Sequence, residues 1–196
     1  TANMHQGWPK FAASLWMKSP DDGLAAMAYA PCAVTTNIKD TDVRIEVTTD
    51  YPFNETIAIT ITVSKPVTFP IHLRVPAWTQ APTLQIGEAA PVALKQGAFF
   101  TCAETRQGTT KLRLHFPMSV RVERRYNNAV SIERGPLVYS LKIGEDWRYL
   151  RGEQPHADWE VHPTTPWNYA LIIDETQPES SFTFEQKTVT GNPFSQ

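Results

Sequence analysis

The sequence predicts a mainly β protein: an antiparallel β-sandwich preceded by one N-terminal helix. Three observations predict it. Apolar and polar residues alternate with period two in segment after segment between Asp42 and Phe184, as half-buried strands require. Sixteen prolines punctuate the chain, most of them between the apolar runs. Only at the start does the period change, where Trp8, Phe11, Ala12, Leu15 and Trp16 share one helical face.

Taken in order, Asn3 to Met17 make the expected helix, with Asn3 and Gln6 at the spacing of a capping-box variant. Pro9 would clash with the carbonyl of His5 deep in a helix, so the helix starts nearer Gly7 or bends there. Two Trp and a Phe on one stripe need a large apolar partner, and almost everything downstream reads as strand. Ser19-Pro20-Asp21-Asp22-Gly23 is a turn cluster, and Leu24 to Ala30 a small-residue strand. Val43, Ile45 and Val47 alternate with Arg44, Glu46 and Thr48. Beyond the break at Asp50 to Asn54, Ile57, Ile59, Ile61 and Val63 alternate with Ala58, Thr60 and Thr62, which makes a hairpin with one buried face.

The same pattern places Phe69, Ile71, Leu73 and Val75 opposite His72 and Arg74, and Leu112, Leu114 and Phe116 opposite Lys111, Arg113 and His115. Val120 with Val122, Val130 with Ile132, and Leu137 to Ile143 follow around Arg134-Gly135-Pro136; Tyr169 to Ile173 and Ser181 to Phe184 are late strand candidates. Gly144 to Trp167 lacks clear periodicity but is too aromatic for simple disorder. The expected division is a helical segment 1–20, a β-sandwich region 21–185 and a polar tail 186–196.

With 196 residues the chain can bury a sizeable core. A net charge of −2 with mixed signs gives no electrostatic case for nucleic acid or an anionic membrane. No apolar run approaches the ~20 residues of a membrane span. Cys32 and Cys102 are far apart in sequence; a pairing between them stays open, beside the plainer reading of two buried thiols, and with any targeting signal expected upstream of Thr1 the compartment is open between cytoplasm and periplasm.

The histidines His5, His72, His115, His156 and His162 show no metal-ligand spacing. His72 and His115 fall on polar strand positions, and His5 reads first as a helix-end histidine. Carboxylates are plentiful but fall mostly on the polar phase of strands, and no pair stands out for the two-carboxylate chemistry of glycoside hydrolysis. There is no GxSxG elbow, no CxxC and no phosphate-cradling glycine loop. Binding chemistry concentrates in the aromatics Trp147, Tyr149, Trp159, Trp167 and Tyr169. Of these, Trp147, Trp159 and Trp167 are the candidates for stacking on sugar rings, against the plainer reading of a satellite core under a loop.

Six ordered stretches carry a resemblance: TANMHQGWPKF at Thr1 to Phe11, DGLAAMAYAPC at Asp22 to Cys32, TDYPF at Thr49 to Phe53, LRVPAW at Leu73 to Trp78, ERGPLVYSL at Glu133 to Leu141, and PWNYALIID at Pro166 to Asp174. They resemble the C-terminal portion of bacterial β-L-arabinofuranosidases of glycoside hydrolase family 127 and its relatives. The resemblance implies a parent with an N-terminal (α/α)6 catalytic barrel, of which the first helix here is the last piece. It implies a cysteine nucleophile beside a zinc ion, a glutamate acid/base, and a Cys-Cys pair immediately before the residue matching Thr1. On that alignment no catalytic residue and no zinc ligand falls in this chain, and neither Cys32 nor Cys102 matches a catalytic position. Asn3 and His5, close behind the pair, are the substrate-proximal candidates. Trp8, Phe11, Leu15 and Trp16 would dock the helix into the barrel.

The expected function is therefore a C-terminal sandwich that stabilises a catalytic barrel and is inactive alone. Two other classes compete: an independent carbohydrate-binding module, with the loop aromatics exposed and coplanar, and a structural interaction domain. The partners expected are the barrel, carbohydrate, and a second copy of the chain through its apolar helix.

Overall fold

A computed structural model describes residues 2–188, with side chains from residue 6 onward. The chain is mainly β with one helix, as its pattern predicts. It forms two compact units: the chain up to Ser119 together with Gly135–Leu137, and a second unit of Val120–Arg134 and Val138–Phe184. The single region expected over 21–185 is thus divided.

In the first unit, α1 (Ala2–Ala13) leads into β1 (Trp16–Lys18), β2 (Leu24–Ala26), β3 (Cys32–Ile38), β4 (Thr41–Thr48), the 19-residue β5 (Thr56–Arg74), β6 (Thr83–Ile86), β7 (Val92–Ala93) and the 17-residue β8 (Phe99–His115). β5 and β8 are antiparallel along their whole length, from Thr56 opposite His115 to Arg74 opposite Phe99. Their register shifts between Val63 and Val67, so the pair is bent into two halves. The half toward Thr56 carries β4 and then β3 on one side and β6 and β7 on the other. The half toward Arg74 carries β2 and β1. These are the layers of the sandwich, with one apolar core.

Period two explains the core. Ile57, Ile59, Ile61 and Val63 before the bend, and Val67, Phe69, Ile71 and Leu73 after it, are all buried, while Ala58, Thr62, Thr68 and Arg74 are exposed. Val43, Ile45 and Val47 of β4, with Leu112, Leu114 and Phe116, complete the same face. Each such side chain contributes about 1.5–3 kcal/mol by leaving water. Lys39 and Asp40 join β3 to β4 as a two-residue turn with positive φ at both positions (48° and 56°), the type I′ geometry that matches strand twist. β2 runs parallel to β5, an exception to the antiparallel rule. Gly23 permits it, since a Cβ there would lie 2.4 Å from the Pro70 carbonyl oxygen.

Three expectations need correction here. The helix runs through Pro9 but stops at Ala13, short of Met17. The Ser14 and Leu15 amides close its last turn on the Phe11 and Ala12 carbonyls, and the Leu15 carbonyl then accepts from Met27 and Ala28. Leu15 and Trp16 therefore leave the helix and are buried in the sandwich's own core. β3 also escaped the pattern, because as an outer strand its inward positions Cys32, Val34 and Thr36 are only half buried. Segment 1–20 accordingly holds both helix and the first strand.

In the second unit, β9 (Val120–Arg124) pairs with β10 (Val130–Arg134), which pairs with β11 (Leu137–Tyr139). Glu133 ties the β9–β10 pair by accepting from Arg121 at 2.8 Å and Arg125 at 2.9 Å. β12 (Glu145–Arg151) and β13 (Asp158–Pro163) form a separate hairpin inside the stretch that showed no periodicity. Conversely, Tyr169 to Ile173 and Ser181 to Phe184 are not strands: the first is unladdered, and a 3₁₀ turn at Pro178–Ser181 reaches the second.

Candidate functional site

The candidate residues form three exposed apolar surfaces rather than a catalytic cleft. On α1, Trp8 and Phe11 make an edge-to-face pair with centroids 6.3 Å apart, and they are 68% and 49% exposed. Their spacing of three puts them on one helical face. Leu15 and Trp16 do not join them, being buried in the sandwich. The side chains of Asn3 and His5 lie outside the described residues.

On the β12–β13 hairpin, Trp147 stands opposite Val161, and Tyr149 opposite Trp159. Side chains alternate between the faces of a strand, so all four project from one face, and all are exposed. Glu145 and Gly152 fix the ends of this platform, accepting from Trp147 Nε1 at 2.8 Å and from the Tyr149 hydroxyl at 2.6 Å. The Tyr149 and Trp159 rings are 5.8 Å apart and cross at 82°. An edge-to-face pair is well packed, but it is not the flat platform expected of a sugar-stacking surface.

Trp167, the third candidate, sits elsewhere. It lines a groove of about 340 Å³ in the second unit with Tyr139, Leu141, Tyr169, Leu171 and Phe184. It also borders a shallower depression at the base of the hairpin, beside Val161. Arg134 reaches the groove with its guanidinium 4.0 Å from the centre of the Phe184 ring, a cation–π stack. Sequence reasoning missed Tyr139, Leu171 and Phe184 as members. The period-two run Trp167, Tyr169, Leu171 was the available signal.

Polar clusters are structural. His72 on β5 lies with Nε2 3.0 Å from Asp21 and Nδ1 2.9 Å from Thr101 on β8. In the neutral ring Nε2 donates to the carboxylate and Nδ1 accepts from the hydroxyl. Hydrogen bonds from Ser19 and His72 hold the Asp21 carboxyl below the usual range. The cluster ties the β1–β2 turn across two strands, the cross-strand role its strand position suggested.

Arg106 is the unforeseen residue. It is 2% exposed on the core-facing side of β8, next to the bend. Its guanidinium donates to the carbonyls of Phe69 (2.7 Å), Glu104 (3.0 Å) and Cys102 (3.1 Å) and stacks 4.8 Å from the Phe69 ring. The guanidinium, a fork of fixed donors, thereby finds three backbone acceptors inside the core.

Cys102 is buried and Cys32 half-buried; both are free, and burial pushes both thiols up, away from the reactive thiolate. Among the described residues no three His, Cys, Asp or Glu side chains converge as a metal site. A zinc ion of the kind the resemblance implies for the parent therefore finds no fitting donor set in them.

Residues 23–118, which span most of the first unit, match the model of the GH127 middle domain of β-L-arabinofuranosidases. This chain is glycoside hydrolase family 127-like. Solved structures share its fold. One is a GH127 β-L-arabinofuranosidase from Geobacillus stearothermophilus (17% identity, TM-score 0.57), matched over 77% of this chain and 31% of that one. A second is described as a glycoside hydrolase (18%, TM-score 0.53, 79% and 31%). A third is a GH127 β-arabinofuranosidase (16%, TM-score 0.53, 74% and 29%). The family 127-like chain thus spans about three-tenths of the length of these relatives. No curated protein matches the sequence.

Proposed function

We propose that this chain is the non-catalytic sandwich portion of a glycoside hydrolase and that it stabilises a catalytic barrel through α1. The observation that carries the reading is the match of residues 23–118 to a GH127 middle domain, preceded by a helix whose Trp8 and Phe11 stand exposed. Two large aromatics on one helical turn supply ~1.5–3 kcal/mol each when a partner covers them. Leu15 and Trp16 serve the same end from the other side, by anchoring the helix's exit in the sandwich core. In this reading the parent hydrolyses a terminal furanoside with retention, through a thioglycosyl intermediate on a cysteine outside these 196 residues.

The test has two arms. The isolated chain should not turn over aryl arabinofuranosides. In a protein that carries both barrel and sandwich, Trp8→Ser with Phe11→Ser should lower the melting temperature and the activity together. Turnover by the isolated chain that disappears with Cys32→Ser or Cys102→Ser would falsify the proposal. A second reading, an independent carbohydrate-binding module, draws on the exposed Trp147, Tyr149 and Trp159. Binding of arabinan or pectic oligosaccharides by this chain, lost in Trp159→Ala, would favour it.

A further inference from the structure

The polar clusters at His72 and Arg106 close on groups of the fold itself. One on the outer face of the first unit does not. Lys111 and Arg113 stand two apart on β8, so both project from the same face about 7 Å apart, and both are exposed. The strands on either side frame them in a fixed pattern. Thr60 of β5 lies opposite Lys111, and Ala58 lies opposite Arg113. On the other side Gln85 of β6 lies opposite Arg113, and the Gly87 amide donates to the Lys111 carbonyl at 2.8 Å. Each cation therefore has one hydrogen-bonding neighbour and one neighbour with little or no side chain. The missing height at Ala58 and Gly87 leaves a depression of about 330 Å³, which Glu88 also lines. At Gly87 the space is open, since nothing lies within 4 Å of where a Cβ would be.

Charges on a strand commonly guard a sheet edge or neutralise one another. Here β8 is an interior strand between β5 and β6, so there is no edge to guard. Arg44 and Glu46, two apart on β4, do neutralise one another. Lys111 and Arg113 carry the same sign, and among the described residues neither side chain has an ion pair or hydrogen bond. Like charges this close repel, and an anion bound between them removes that repulsion. The geometry points to a binding site for a sugar that carries one oxyanion, a carboxylate or a phosphate. The guanidinium fork and the ammonium receive the oxyanion. Gln85 and Thr60 are left for hydroxyls, and the Glu88 carboxylate, which repels a second anionic group, matches hydroxyls only. No aromatic ring lines the depression, so a neutral sugar finds nothing to stack on and charge must carry the affinity. The volume is at the lower end of the ~300–1,000 Å³ of small-ligand sites, which suits on the order of one or two sugar rings. This site uses neither α1 nor the aromatic hairpin, so it stands or falls apart from the barrel-supporting role.

Amide NMR shifts of the 15N-labelled 196-residue chain test it, with circular dichroism as the check on folding. The probes, in low salt, are glucose, glucuronate, glucose 6-phosphate and inorganic phosphate. The three sugars share one ring and differ at one carbon, so the oxyanion is the variable. One or both sugar acids should bind at least tenfold tighter than glucose or inorganic phosphate, and the tighter of the two names the oxyanion. Lys111→Gln and Arg113→Gln should each weaken that binding roughly tenfold, the loss of one charge-assisted hydrogen bond. Ala58→Ile should weaken it as much by filling the low point beside Arg113. Lys65→Gln, the same charge loss on an exposed residue at the bend of β5, should change it less than twofold. Sugar acids that cause no shift at 20 mM, or that bind no tighter than glucose, overturn the inference. So does affinity that survives both Lys111→Gln and Arg113→Gln, or that Lys65→Gln lowers equally, which would make the effect one of net charge. Inorganic phosphate binding as tightly as the sugar acids also overturns it and leaves an adventitious ion only.

Discussion

The two units use the same alternating sequence pattern to opposite ends. In β5, Ile57, Ile59 and Ile61 point into a second layer and are wholly buried. In β12 and β13, Trp147, Tyr149, Trp159 and Val161 also share one face of the hairpin, yet each is roughly half exposed. Alternation decides which side of a strand is apolar. Only a covering layer turns that side into a core. The first unit supplies the layer itself by bending β5 and β8 into both sheets, whereas the hairpin of the second unit has two strands and nothing intrinsic to fold over it.

The contrast predicts a hierarchy of substitution effects. Phe69→Ala should cost about 3–5 kcal/mol in chemical denaturation, because it empties a site with no exposure and removes the ring beneath Arg106. Trp159→Ala, which deletes a larger side chain, should cost under ~1 kcal/mol, since its face is already in water. Comparable losses at both positions would break the contrast. Next comes Arg106→Met, which keeps the volume and removes three hydrogen bonds from the guanidinium to backbone carbonyls. Hydrogen bonds from a charged donor contribute about 1.5–3 kcal/mol each, and removing the buried cation offsets part of that, so a loss of ~3 kcal/mol is expected.

The smallest effect is at alkaline pH. Burial pushes Tyr29 well above the usual phenol range and Tyr51 up to about 12. A raised folded-state pKa means that the stabilisation is complete below pH ~10, where unfolded tyrosine is neutral, and declines as pH rises toward 12. Unfolding monitored between pH 9 and 12 should show that decline, and Tyr51→Phe should reduce it. A flat profile would place these rings in contact with solvent.

Much of the first unit was legible because its information is local. Val43 to Val63 and Phe69 to Val75 declare their buried faces by period two, and both faces are where the pattern puts them. The failures were of two physical kinds. Leu15 and Trp16 fit a helical stripe and a strand edge equally well, and the choice was made by Met27 and Ala28, which take the Leu15 carbonyl into the sheet. Arg106 reads as surface in any composition scale, because the carbonyls of Phe69, Glu104 and Cys102 that receive its guanidinium are gathered only when β5 and β8 pair. In the candidate surfaces, the aromatic cluster was visible in sequence. Its division between a hairpin face and a groove was not, since Trp147, Trp159 and Trp167 carry no signal of which neighbour each one meets.

The shared β5–β8 ladder also sets the order in which the first unit can assemble. Pairing Arg74 with Phe99 closes the shortest loop this ladder offers, while pairing Thr56 with His115 closes the longest. Loop-closure entropy therefore favours a start at the Arg74 end, in the half that carries β2. The β3–β4–β5 meander is local and forms on its own account at the other end. Loop-closure entropy alone would then have the two halves meet where the register shifts. Arg106, opposite Val67, stands beside that point, and its guanidinium bonds can form only once both strands are paired there.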